Sequence, residues 1–312
     1  MKVAVVAGAA GFIGSHLCDF LLEKGYKVIG IDNLVTGRKK NLKHLEKNKK
    51  FKFYKADISK KLPAISKVNE IYNLASPASP IDFLKIPLEI LETASVGQAN
   101  LLKLAKKTKA RVLFASTSEV YGDPQQHPQV ESYWGNVNCT GIRSCYDEAK
   151  RYGEAVTMAY HRGQKVNTAI ARIFNTYGTR MRPEDGRVIP NFFSQAISKK
   201  GLTIYGTGKQ TRSLCYVSDL VEGLYALMQN KTHEPVNIGN PNEMSILEIA
   251  DVINKITGNI KSHVYEELPP DDPKQRCPDI SKAKALLQWQ PKVGLTDGLT
   301  KTLDYFRAEK LV

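Results

Sequence analysis

Near the start of the chain a glycine turn, GAAGFIG, joins the apolar run KVAVVA to the amphipathic stretch SHLCDFLLEKGY. Gly8, Gly11 and Gly14 recur at every third position. Glycine allows a tight turn and a close approach to the backbone. The helix that opens beyond the turn presents unpaired N–H groups and a partial positive charge. A second apolar run, KVIGID, then ends in Asp32. A strand, a glycine turn and a helix, with a carboxylate at the end of the next strand, restrict the chain to a parallel α/β fold. The turn offers a seat for a diphosphate, and Asp32 a hydrogen-bonding partner for a ribose diol.

The pattern continues through FKFYKAD, EIYNLAS, ARVLFAST and KVNTAIARIF, short apolar runs that mostly end in small or polar residues. Helical stretches intervene, notably PLEILETASVGQANLLKLAKKT. Alternating strands and helices predict an α/β, Rossmann-type doubly wound parallel sheet. Beyond about residue 175 the pattern loosens into loops such as GTRMRPEDGRV and YGTGKQTRS. Helices remain legible at ILEIADVINKITG and LTDGLTKTLDYFRAEK, with the proline-rich loop PPDDPKQRCPD between them. The expected division is a dinucleotide-binding domain over 1–174, with 213–240 returning to it. A smaller C-terminal substrate-binding lobe takes 175–212 and 241–312. Asp32 favours NAD, because a carboxylate repels a 2′-phosphate; Arg38 and Lys39 leave NADP open.

The formal net charge of +14 favours anionic partners. The lysines are scattered, however. The one thin cluster, KNLKHLEKNKKFKFYK, reads as a solvated basic face with no nucleic-acid-binding signature. The five cysteines form no C-x-x-C pair, which argues against a disulfide scaffold or a zinc site and for a reducing compartment. Glycines interrupt the apolar start, so it does not read as a signal peptide. No stretch approaches the ~20 apolar residues of a membrane span. The expectation is a cytoplasmic protein without membrane or nucleic-acid partners.

In RSCYDEAKR, Tyr146 and Lys150 lie four apart and share one helix face. A free phenol has a pKa of ~10. A neighbouring ammonium and a positive nicotinamide both favour its anion, which can take the hydroxyl proton of an alcohol that gives up hydride. The fifth strand ends in Thr117, Ser118 and Glu119, at the carboxyl edge where parallel sheets place ligands. The two hydroxyls suit a sugar hydroxyl and the phenol oxygen, and Glu119 is a candidate second acid–base group.

GAAGFIG, TSEVYG and YDEAK together resemble the extended short-chain dehydrogenase/reductases that act on nucleotide sugars. NLASPASP, ASTSEVYGDP, YWGNVN, RSCYDEAKR, ARIFNTYG, DGRV, QTRS, YVSDLVEGL, VNIGNP and DDPKQR narrow the likeness to the UDP-glucuronate decarboxylase (UDP-xylose synthase) family, from residue 3 to about 307. That resemblance implies oxidation of the glucuronate C4″ hydroxyl by bound NAD, loss of CO₂ from the 4-keto acid, and return of the hydride, with no metal. It makes Tyr146 the base and Lys150 its partner. Thr117, Ser118 and Glu119 then surround the ring, and Arg212 lies near the sugar carboxylate. It assigns Gly11, Phe12, Ile13, Asp32, Asn33, Thr36, Gly37, Asp57 and Ile58 to the cofactor, beside Gly8 and Gly14. Leu74, Ser76, Thr93, Thr176, Arg182 and Arg187 join them, and Asn175, Tyr205, Gln210 and Arg276 go to the nucleotide sugar. It also implies a homodimer packed as a four-helix bundle from the helix near 93–109 and the Tyr146 helix.

Two departures stand out. Where the family usually has lysine, threonine and asparagine, this chain has Glu92, Thr93 and Ala94, and Glu92 is expected to face the substrate. A histidine of the family's cofactor loop is Arg182 here. The competing enzyme readings are a nucleotide-sugar 4,6-dehydratase and a 4-epimerase. The first is disfavoured because Ser118 stands where dehydratases usually carry the aspartate that helps protonate the leaving hydroxyl. A non-catalytic NAD-dependent sensor is the remaining alternative.

Overall fold

The computed structural model describes residues 1–268 and 275–309. Seven strands form one sheet: β1 (Val3–Ala7), β2 (Lys27–Asp32), β3 (Phe51–Lys55), β4 (Glu70–Asn73), β5 (Arg111–Thr117), β6 (Asn167–Ile173) and β7 (Pro235–Ile238). Their order is β3-β2-β1-β4-β5-β6-β7, and every neighbouring pair is parallel. The first six strands follow the 3-2-1-4-5-6 order of a doubly wound dinucleotide fold.

Side chains alternate across the strands. Val5, Ala7, Ile71 and Val112 pack on one face with Leu101, Leu102 and Ala105 of the helix Gln98–Thr108. Ala4, Val6, Tyr72, Leu113 and Ala169 fill the other, with Leu17 and Leu21 of the helix Phe12–Glu23 and Leu224 of the helix Val217–Gln229. Burial on both faces is why these strands read as unbroken apolar runs.

The order reverses between β1 and β4, and a crevice opens there at the carboxyl edge of the sheet. The stretch read as one helix over 87–108 is two α-helical pieces, Pro87–Glu92 and Gln98–Thr108, joined by a π-turn, Thr93–Gly97. Tyr146 and Lys150 lie on the 21-residue helix Ser144–Gln164. That helix approaches β5 closely at Gly153, where a Cβ would stand 2.1 Å from the Phe114 ring.

The later part of the chain adds three two-stranded sheets: Thr176–Tyr177 with Cys215–Tyr216, Thr211–Ser213 with Glu243–Ser245, and Thr203–Tyr205 with Val264–Glu266. The helix Ile246–Thr257 begins with a capping box of Ser245 and Glu248, and the final helix is Leu295–Ala308. Helices at Val188–Ile197 and Val217–Gln229 emerge where the sequence pattern had loosened. Residues 269–274 of the loop PPDDPKQRCPD, and Lys310 at the end of the last predicted helix, lie outside the described residues.

Candidate active site

Gly8 has φ +79°, and a Cβ there would stand 2.7 Å from the Leu74 carbonyl carbon. A Cβ on Gly14 would stand 2.0 Å from the Gly8 oxygen. Gly11 precedes the helix in extended conformation and has no side chain to cap it. The turn is therefore a bare backbone cradle at a helix N-terminus, which fits a diphosphate. The Asp32 carboxylate accepts from Ala10 N at 2.9 Å and Leu34 N at 2.8 Å. Burial raises its pKa, and these two N–H groups oppose the rise. A carboxylate has about four acceptor positions, so Asp32 keeps capacity for a diol.

Asp32, Asn33, Gly37, Asp57, Ile58 and Thr93 line a small cavity of about 70 Å³. It shares Gly8, Gly11, Thr36, Leu74 and Ser76 as walls with a main cavity of about 580 Å³, which Phe12, Ile13, Gly14, Thr176, Arg182 and Arg187 also line. Arg38 donates to the Arg180 and Met181 carbonyls, at 3.0 Å each, and exposed Lys39 lies 3.8 Å from Glu46. Both have other partners than a phosphate near Asp32.

Tyr146, Lys150, Thr117, Ser118 and Glu119 line the main cavity together. The Lys150 ammonium donates to the Ala115 carbonyl at 2.8 Å and lies 5.5 Å from the Tyr146 ring centre. The expected lowering of the phenol pKa does not hold for the polypeptide alone. Burial pushes Tyr146 up, a hydrogen bond with Thr117 pulls it down, and Glu119 raises it again. Burial also lowers Lys150 to about 7, so the amine itself is close to discharge at neutral pH. Thr117 Oγ1 accepts from Glu119 N at 3.3 Å, which fixes the hydroxyl. Phe83 stacks on Tyr146, with ring centres 5.1 Å apart at 18°, and the Arg143 guanidinium lies 5.5 Å from the Phe83 ring centre.

Glu119, the candidate second acid–base group, is held between two arginines. One of its oxygens accepts from Arg143 at 2.6 Å and from Arg276 at 2.9 Å. Burial pushes its pKa up, but Arg276 and Arg143 outweigh burial and hold it well below the carboxylate range. A carboxylate so strongly held as an anion is a poor proton donor at neutral pH. Its neighbour Asp147 is raised to about 7 by burial and by the Glu119 charge, and Arg143, 4.0 Å away, compensates only in part.

Asn175, Tyr205, Gln210, Arg212 and Arg276 line the same cavity. Arg276 is buried and also donates to the Gly122 carbonyl at 2.6 Å. Arg182 pairs with Asp82 at 2.7 Å, and Arg187 pairs with Asp185. The departure at Arg182 is thus met by an acid from the facing segment. Glu92 is the correction: it is exposed and lines neither cavity. Ile90, Thr93, Ala94 and Gly97 take the inward face of their helix and turn Glu92 outward. Ala94 packs beside Phe83, Cys145, Tyr146 and Ala149.

Sequence reasoning missed Arg143, Asp82, Phe83 and Asp185, which line the cavity and orient its charged groups. Arg143 sits in RSCYDEAKR, three residues before Tyr146, and that adjacency was its only signal. Asp185 opens the motif DGRV without having been singled out there, and nothing local marks Asp82 or Phe83.

The family model described as GDP-mannose 4,6 dehydratase matches residues 5–302. UDP-glucuronic acid decarboxylase 1 of Arabidopsis thaliana is 52% identical over 303 residues, covering 97% of this chain and 69% of the relative. UDP-glucuronic acid decarboxylase 1 of Xenopus tropicalis is 48% identical, covering 99% and 73%. Among solved structures, UDP-glucuronic acid 4-epimerase from Bacillus cereus, in complex with UDP-glucuronic acid and NAD, superposes with a TM-score of 0.89 at 33% identity. That match covers 99% of this chain and 100% of the epimerase. The chain belongs to the extended short-chain dehydrogenase/reductases, in the family of the UDP-glucuronic acid decarboxylases.

Proposed function

We propose that this chain is an NAD-dependent UDP-glucuronate decarboxylase that releases UDP-xylose and CO₂. The observation that carries the reading is identity of about half with decarboxylases over 97–99% of this chain. Tyr146, Lys150 and Thr117 meeting in one cavity at the carboxyl edge of the sheet supports it. NAD would take hydride from the sugar and later return it. The residues suited to hold it are the Gly8–Gly14 cradle, Asp32 and the walls of the smaller cavity.

The remaining work falls to side chains. Tyr146 removes the C4″ hydroxyl proton, helped by its Thr117 hydrogen bond and by the Lys150 ammonium. With C4″ a ketone, the carboxylate on C5″ is that of a β-keto acid. The C5″–C6″ bond breaks, CO₂ departs, and its electron pair becomes an enolate. Tyr146, Thr117 and Ser118 are the groups that can bond the enolate oxygen. A proton then adds at C5″, so the reaction consumes one proton, and NAD ends as it began. Arg212 suits the carboxylate before its loss, and Arg276 the diphosphate or the Glu119 anchor.

In this reading residues 1–174 with 213–240 serve the cofactor, and 175–212 with 241–312 the nucleotide sugar. Exposed Val96 and Tyr152 lie on the segments assigned to the homodimer's four-helix bundle, and exposed Leu88 and Leu91 lie on the short helix just before the first of them, an apolar face of the kind association covers. Five cysteines outside any disulfide suit a reducing, cytoplasmic setting. Among the described residues no helix is long and apolar enough to cross a membrane.

The specific rival is the 4-epimerase, favoured by the likeness to a structure holding the same substrate. Product mass after incubation with UDP-glucuronate, UDP-galacturonate and UDP-N-acetylglucosamine separates the two. Decarboxylation removes CO₂ from the first alone, whereas epimerisation leaves every mass unchanged.

A further inference from the structure

Behind the pocket arginines, three segments far apart in sequence bring metal-ligand side chains together. His127 comes from the loop after the turn Ser118–Tyr121, Glu243 from the strand Glu243–Ser245, and Cys277 from the segment that carries Arg276. One ligand atom from each lies within 4.8 Å of the other two. His127 Nε2 and a Glu243 oxygen are 3.0 Å apart, and the Thr211 hydroxyl holds the other Glu243 oxygen. The buried Cys277 thiol donates to the Pro241 carbonyl at 3.3 Å. None of the three lines the catalytic cavity.

A further buried polar group borders the cluster. Ser213, opposite Glu243 in the strand pair, is fully buried, and its hydroxyl has no oxygen or nitrogen partner. It faces the Cys277 sulfur, to which it can donate. A donor aimed at a sulfur is the outer support that metal-bound thiolates use. The backbone is prepared as well: Cys277 N donates to Gln129 Oε1 and Gln129 N to the Cys277 carbonyl, both at 2.9 Å.

We propose that His127, Glu243 and Cys277 form a Zn²⁺-class cation site that ties together the backbone beside Arg212 and Arg276. Imidazole, carboxylate and thiolate, completed by water, make a four-coordinate set for a borderline-soft ion, whereas Mg²⁺ and Ca²⁺ take oxygen ligands. Binding releases the thiol proton to solvent and replaces the His127–Glu243 hydrogen bond. The imidazole proton moves to Nδ1, giving up the 3.4 Å contact with the Gln129 amide. The ion can enter, because the His127 and Glu243 side chains are 33% and 23% exposed. It would pin Ser213, next to Arg212, against Cys277, next to Arg276, without taking part in the sugar chemistry.

Untagged, reduced protein titrated with Co²⁺ tests the site. The proposal predicts one equivalent bound with a sulfur-to-cobalt charge-transfer band in the near ultraviolet, displaced by Zn²⁺. Cys277→Ser should lose the band. His127→Gln, at a partly exposed position, should weaken Zn²⁺ binding about tenfold or more with the fold intact. Cys139→Ser, at the one exposed cysteine, should leave both unchanged. Absence of saturable binding, saturable binding without the band, or a band that survives Cys277→Ser would each overturn the proposal.

Discussion

The Lys150 ammonium lies 5.5 Å from the centre of the Tyr146 ring while donating at 2.8 Å to the Ala115 carbonyl. The amine is thus anchored to the fifth strand, and its distance from the phenol does not depend on side-chain wandering. Burial brings Lys150 to about 7 and raises Tyr146, so the polypeptide alone holds a protonated phenol at neutral pH. The base has to be generated by what binds beside it. Tyr146→Phe removes the proton acceptor and leaves the glycine cradle untouched. Turnover should fall by about 10³-fold or more while NAD binding, followed by fluorescence titration, changes little. Near-normal turnover in this variant would remove Tyr146 from the mechanism.

Asp147 is buried, and one of its oxygens has no partner among the described residues. Its pKa is raised from 3.8 to about 7 in the folded protein. The folded state therefore holds a proton that the unfolded state releases between those values. Its contribution is fully present below about 4 and is lost as pH rises through about 7. Asp147→Asn mimics the protonated form at every pH. Thermal melts should show little gain at pH 4 and a gain of up to about 4 kcal/mol at pH 8. An equal effect at both pH values would contradict the assignment.

Glu92 faces outward, so reversing its charge should not touch the sugar. Glu92→Lys is expected to leave KM for UDP-glucuronate within about twofold at moderate salt, as exposed substitutions away from a site usually do. A clear fall in KM would restore the reading that this position meets the substrate.

Gly14→Ala would place a Cβ 2.0 Å from the Gly8 carbonyl oxygen, which is backbone and cannot swing aside. The turn must open, at a cost of about 1–3 kcal/mol, and the diphosphate seat opens with it. Calorimetry should show lower stability and NAD affinity reduced at least about tenfold. Unchanged NAD affinity would mean that the cofactor does not use this cradle.

The parts legible in the sequence were those whose chemistry is local. Gly8, Gly14 and Asp32 announce themselves because a tight turn and a strand-end carboxylate are set within about one strand–helix unit. Tyr146 and Lys150 follow from the helical period. Glu92 was misplaced because its charge was weighed before its helix phase. The buried Ile90, Thr93, Ala94 and Gly97 follow the i, i+3, i+4, i+7 pattern and leave position 92 outside. The ion pair of Arg182 with Asp82 and the clamp of Arg143 and Arg276 on Glu119 join distant segments, so no local spacing encodes them. The helix Val188–Ile197 was missed inside a loop-like stretch, where Pro190 in its first turn resembles a break.

The most direct test of the account is one incubation of the enzyme with UDP-glucuronate labelled with ¹³C in the sugar carboxyl group, followed by mass spectrometry and gas analysis. The account predicts an unlabelled UDP-pentose, label recovered as CO₂, and no net accumulation of NADH. A product that keeps the label at the mass of the substrate, or one that has lost water instead, would contradict it.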